Sequence, residues 1–261
     1  MTPEEFSNSF DVKLDSYRRS RAFDGADFHD PLYFNEYEKS VFLTKAQWTI
    51  LLNLYRGSMG ASFEETEEVT AYLAPLVRQV TITEEYEEDE EDENARHIVS
   101  GSHLYQLPTN LLFITFESCV LDDPNLSCNG STLRDAMVIP VTQDAFHRTY
   151  RNPFKGPNAR KVLRLAFGHN NSDILFEFLD SRPRFSELVS KYNLASYTVR
   201  YIKRPSPIIT ADLSVDDISI EGVSSVTGCE LNPAIHEMIL DEAVRNAALS
   251  KMSQSASRNQ R

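Results

Sequence analysis

Apolar residues recur at helical spacing from the start of the chain: Phe6, Phe10, Leu14 and Tyr17 fall on one stripe. Thr2, Pro3, Glu4 and Glu5 precede them, supplying a cap, a proline suited to the first helical position and acids against the helix dipole. A short amphipathic helix is predicted, ending in the basic cluster Arg18, Arg19 and Arg21 and broken at Gly25. Asp30 and Pro31 open a second helical stretch, PLYFNEYEKSVF. Thr44 with Gln47 forms a capping box for a third, KAQWTILLNLYRG, stopped at Gly57. Ser62 with Glu65 does the same for a fourth, from residue 63 to about 77, with Phe63, Val69, Leu73 and Val77 as its core contacts. Residues 1–80 therefore read as a helical N-terminal region.

The period then changes. VTITEEY (80–86) and LLFITFESCVL (111–121) are rich in β-branched and aromatic residues, and the second places Leu112, Ile114, Phe116 and Val120 on one face. Further strands are expected at 136–141, 161–168, 174–179 and 197–203, with a turn at 168–172 joining two of them in an antiparallel sheet. Thr142 caps a short helix, QDAFHRTY, ended by Asn152 and Pro153. Residues 206–228 show no clear pattern. Asn232 caps and Pro233 starts a final helix whose stripe is Ile235, Ile239, Ala243 and Ala247, and the polar tail SQSASRNQR is expected to be disordered. No repeat of fixed period is visible. The expected fold class is α+β: a helical region at 1–80, an antiparallel β-rich region at 81–230 with an acidic loop at 84–93, and a C-terminal helix and tail at 231–261, together one compact domain.

With 261 residues, 41% of them hydrophobic, the chain can bury a sizeable core. No segment approaches the roughly 18 apolar residues that a membrane helix needs. The opening MTPEEFSNSF lacks the basic and apolar regions of a secretory signal, so the expected compartment is the cytoplasm where the chain is made. The net charge of −13 is uneven: residues 1–130 hold 25 acids against 9 Lys and Arg, and residues 131–261 hold 14 against 17. Much of the acidity is one tract, 84–93, in which only Tyr86 is uncharged. Such a run repels itself and is expected in a solvated loop, as a hairpin tip that guards a strand or as a surface that docks a basic partner.

Chemistry is sparse. No GxxxxGK or GxGxxG occurs among the nine glycines, so nucleotide binding is not expected. The six histidines are scattered, and Cys119, Cys128 and Cys229 match neither a disulfide framework nor a common zinc knuckle. No catalytic residue, metal or cofactor is expected. The segment 151–164, RNPFKGPNARKVLR, carries Arg151, Lys155, Arg160, Lys161 and Arg164 and no acid. These cations suit either phosphates of DNA or acidic groups of a neighbouring subunit. Asn152-Pro153 and Gly156-Pro157 mark a rigid, turned loop that presents a fixed surface.

Four blocks carry a resemblance: EYEKSVFLTKAQ (36–47) with SFEETEE (62–68); DAFHRTYRNPFKGP (144–157) leading into RKVLRL; YIKRPSPII (201–209); and CELNPAIHEMILDEAV (229–244). With them the chain resembles the ring proteins below the portal of crAss-like bacteriophages of gut Bacteroidales, over residues 31–250. The resemblance implies a virion structural protein of the tail or neck, assembled in the host cytoplasm as a ring of twelve copies. Its partners would be the portal, adjacent ring or tail proteins and the genomic DNA in the channel, and the family offers no catalytic residue to carry over. The alternative is a monomeric acidic cytoplasmic binding or regulatory protein of a phage.

Overall fold

The computed structural model describes residues 1–22, 33–57, 66–86, 102–123, 132–152, 154–170, 173–179 and 192–258. They fall into two compact units, residues 1–76 with 205–261 and residues 77–204. Residues 205–230, expected with the strands, thus belong to the helical unit.

The helical unit holds α1 (Pro3–Ala22), α2 (Glu36–Arg56), α3 (Glu67–Leu73) and α5 (His236–Arg258). Phe6, Phe10 and Leu14 of α1 are buried as the helical spacing predicts, and so are Ile235, Ile239, Ala243 and Ala247 at the start of the last helix. That helix runs on through residues expected to be disordered, to Arg258. Helix α2 corrects a sequence expectation. It is one helix, capped at Asn35 by a capping box with Glu38 and closed by Gly57 in the left-handed conformation, φ 74°. Thr44 and Gln47 lie inside it and serve another purpose: the Ile208 amide donates to the Thr44 hydroxyl at 3.1 Å, and Gln47 Nε2 donates to the Ser206 carbonyl at 3.0 Å. Helix α3 is capped by Thr66 and is shorter than expected, since Val77 already begins a strand. The expected signals at Gly25, Asp30–Pro31 and Ser62–Glu65 lie outside the described residues, as do Cys128 and most of the acidic tract.

A buried ammonium organises this unit. Lys39 Nζ on α2 meets Asp11 at 2.6 Å, Glu36 at 2.9 Å and the Ser7 hydroxyl at 3.1 Å. Glu36 also accepts from Thr210 Oγ1 at 2.7 Å, and Ser40 Oγ accepts from the Thr210 amide at 3.1 Å. Groups from α1, α2 and the segment near 210 are thereby joined in one polar network.

The second unit is a seven-stranded curled sheet: β1 (Val77–Ile82), β2 (His103–Leu107), β3 (Leu111–Asp122), β4 (Leu133–Val141), β5 (Lys161–Asn170), β6 (Asp173–Leu179) and β7 (Asn193–Lys203). The order is β1-β7-β3-β4-β5-β6-β2. Neighbours are antiparallel except β4 and β5, which run parallel and are joined through α4 (Gln143–Arg151). Strand β2 was not foreseen. The sheet curls so that its inner face forms one core, with Tyr105 of β2, Cys119 and Leu121 of β3, Val138 of β4, Phe178 of β6 and Tyr197 of β7. Its ends approach each other: the Tyr86 amide donates to the Leu104 carbonyl at 2.7 Å, and His103 Nδ1 lies 3.1 Å from the Glu85 carboxylate. Register shifts along β3, between 111 and 113, 114 and 116, and 120 and 121, break the expected alternation. Phe116 consequently faces out, and Cys119 and Leu121 fill the core instead of Val120.

Candidate contact surface

The basic segment leaves α4 and enters β5. Phe146 anchors α4 on the outer face of the sheet against Leu163, Leu165 and Leu179, with Arg148 and Arg151 in the last turn where the helix dipole favours cations. Asn152 then folds the loop: its Oδ1 accepts from the amides of Phe154 at 2.9 Å and Lys155 at 3.2 Å, and its carbonyl accepts from Gly156 N at 2.9 Å. Gly156 and Pro157 are buried, and Asn158 Oδ1 accepts from Arg160 N at 2.9 Å. The loop is stapled at both ends.

The five basic candidates part company here. Arg151, Lys155 and Arg160 are exposed, whereas Lys161 is partly covered and its ammonium donates to the Phe154 carbonyl at 2.6 Å. Arg164 points inward. Its Nε meets Glu117 Oε1 at 2.7 Å, its guanidinium carbon lies 4.3 Å over the Phe176 ring, and Tyr197 donates to the same carboxylate at 2.6 Å. Side-chain exposures of 11% for Arg164 and 10% for Glu117 place the pair within the curled sheet. Burial, followed by the Glu117 charge, pushes the Tyr197 phenol far above its ordinary value, so it stays a donor. Of the five side chains, Arg151, Lys155 and Arg160 are the cations an outside partner can reach directly.

Sequence reasoning missed the apolar part of this surface. Phe154, at the loop tip, is 86% exposed. Met137 pairs with Lys161 across β4 and β5 and is 66% exposed, Leu133 on the same strand face is 55% exposed, and Phe116 is 57% exposed opposite Arg200 of β7. No local signal separates these residues from core positions. Their exposure follows from strand register and from how far α4 covers the sheet.

The cysteines described offer no activated nucleophile. Cys119 donates to the Ala136 carbonyl, and burial pushes its thiol up to about 12; burial raises Cys229 to about 11. Among the described residues no group of three or more His, Cys, Asp or Glu side chains is arranged to hold a metal ion, and no helix is long and apolar enough to cross a membrane.

Comparison with known proteins gives a consistent result. Residues 1–259 match the model of a family described as phage tail ring protein 3/4. The chain is 37% identical to Ring protein 3 of Bacteroides phage crAss001, over 96% of this chain and 96% of that protein. It is 30% identical to Ring protein 4/5 of the same phage, over 95% of this chain and 92% of that protein.

Proposed function

Because the chain belongs to the phage tail ring protein 3/4 family, and so is a structural ring protein of a crAss-like bacteriophage virion, we propose that it forms a ring of twelve copies below the portal, joining head to tail around the channel for genomic DNA. The match over residues 1–259 carries this reading, because it spans both units. The partners are further copies of the chain, the portal and the adjacent ring or tail proteins. DNA passes without sequence-specific contact, since a channel wall meets every sequence of the genome in turn. The family replaces the alternative of a monomeric acidic binding protein.

A ring of identical copies needs two different faces that fit each other. The rigid basic loop with Arg151, Lys155 and Arg160 supplies one face, supported by Asn152 and Lys161 from behind. Arg164 contributes by holding the sheet together from within. The deciding experiment is electron microscopy of purified virions, with mass spectrometry to place this chain. A closed ring of twelve copies directly below the portal is expected. Absence from the particle, or a place away from the head–tail junction, overturns the proposal.

A further inference from the structure

Phe154 and Val215 are the most exposed of the large apolar side chains among the described residues, at 86% and 85%. Each tops a loop that its own hydrogen bonds hold. The Phe154 loop is folded by Asn152 and backed by the Lys161 ammonium on the Phe154 carbonyl. Val215 stands in the 3-10 turn Ser214–Asp216 of the helical unit. Before it, Asp212 Oδ1 accepts from the Ser214 amide at 2.9 Å and the Ser214 hydroxyl at 2.6 Å. After it, Asp217 adopts the left-handed conformation, φ 55°, and donates its amide to the Ser214 carbonyl at 3.3 Å. Leu213 anchors the turn: its amide donates to the Ser224 carbonyl at 2.9 Å, and its side chain is buried with Ile209 and Ile220. A rigid loop that holds an apolar side chain in water gains free energy when that side chain is covered, and little is then lost to ordering.

The two tips carry opposite charge. Residues 145–172 contain no acid; Arg151 and Lys155 lie in the turn with Phe154, and Arg160 adjoins the lysine that binds its carbonyl. Residues 205–244 contain no lysine or arginine; the exposed Asp212 and Asp217 bracket Val215, and the exposed Glu221 stands in the Ile220–Val223 turn of the same loop, where it accepts from the Trp48 indole at 3.1 Å. Each loop is thus an apolar tip beside charges of one sign, and the signs complement each other. Both tips stand in water in the single chain, and a closed ring of identical copies needs two unlike faces that fit. We infer that the Phe154 tip of one copy packs against the Val215 tip of the next, with Arg151, Lys155 and Arg160 facing Asp212, Asp217 and Glu221, a head-to-tail contact repeated around the ring. The inference rests on the ring reading above and deepens it by naming the second face.

Cysteines at the two tips test this in virions, since both positions are exposed and their substitution leaves the core intact. Phe154→Cys and Val215→Cys are placed in separate chains, supplied together, and the particles are treated with a short thiol cross-linker. A link between positions 154 and 215, identified by mass spectrometry of the joined peptides, then arises only between copies. Covalent dimers carrying that link are expected, the chain with both substitutions should give a ladder of linked copies, and wild-type virions should give neither. Adding Arg151→Glu, Lys155→Glu and Arg160→Glu should lower the yield of the link about tenfold, because like charges then face each other. Should the cysteine chains not enter particles, zero-length carbodiimide coupling of wild-type virions decides instead: Lys155 should join Asp212, Asp217 or Glu221. A link confined to single chains, a link from 154 to 154, or the absence of either expected link in particles that contain the ring overturns the inference. Wild-type particles in which this chain forms no ring would instead defeat the underlying ring reading, which separates the two failures.

Discussion

Each unit buries a cation against a carboxylate, and the two do it differently. In the helical unit Lys39 is a point charge whose three donors reach Asp11, Glu36 and Ser7, and the network continues through hydroxyls to Thr210. In the sheet unit Arg164 is a flat fork laid over Phe176 and fixed to Glu117, which Tyr197 also holds. Lysine suits the first place because its rotatable ammonium reaches partners on α1 and on its own helix at once. Arginine suits the second because β3, two strands away in the curled sheet, offers a carboxylate edge and the adjoining β6 an aromatic face. The helical network thus fixes how separate segments meet, and the strand pair fixes the curvature of one sheet.

The contrast can be broken most severely at Lys39. Lys39→Ala leaves the Glu36 carboxylate without its cation in a half-buried site, and a loss of about 2–3 kcal/mol in unfolding free energy is expected in urea titrations. A loss below about 1 kcal/mol would mean that the network is mere surface pairing. Arg164→Lys is the next largest: charge is kept but the stacking and the fork are lost, which should cost about 2 kcal/mol. Hydrogen exchange should report that loss in β3, β5 and β7. If lysine is tolerated without change, the planar geometry has no role. Asn35→Ala removes the capping box of α2 and should cost about 1 kcal/mol by thermal unfolding.

The smallest effect is that of pH. Burial, with the nearby Met1 ammonium, holds His236 below its ordinary 6.5, so the unfolded chain binds the proton first and stability falls as pH drops below about 6.5. Glu36 is raised by burial, but Lys39, Thr210 and Ser7 more than offset this and hold it below its ordinary 4.5. Its contribution is present above 4.5 and is lost as pH falls through the lowered native value. A melting-temperature series from pH 8 to pH 3 should show both declines, and His236→Asn should remove only the first.

These residues also show where a sequence can be read and where it cannot. The α+β class, the stripe on the last helix and six of the seven strands follow from local periodicity. The start of α2 did not, because the run contains two capping signals, Asn35 with Glu38 and Thr44 with Gln47. Both satisfy the local rule, and the choice falls to tertiary structure, which employs Thr44 and Gln47 on the backbone of residues 206–208. Strand β3 misled for a similar reason: its bulges turn the pattern over partway, and bulges are set by the partner strand. The basic loop was legible from its Asn-Pro and Gly-Pro turns. That Arg164 turns inward while Phe154 and Met137 turn outward was not, since it depends on which strands surround β5 and on the reach of α4.

The parallel pairing of β4 with β5 has a kinetic consequence. Every other neighbour pair in the sheet is antiparallel, but Met137 finds Lys161 only after the chain has crossed over through α4. Closing such a non-local pair is slow relative to hairpin formation. Because Met137 and the loop behind Lys161 come into register in that one event, this candidate surface matures together with its own scaffold. A chain that has not yet made this pairing does not display it.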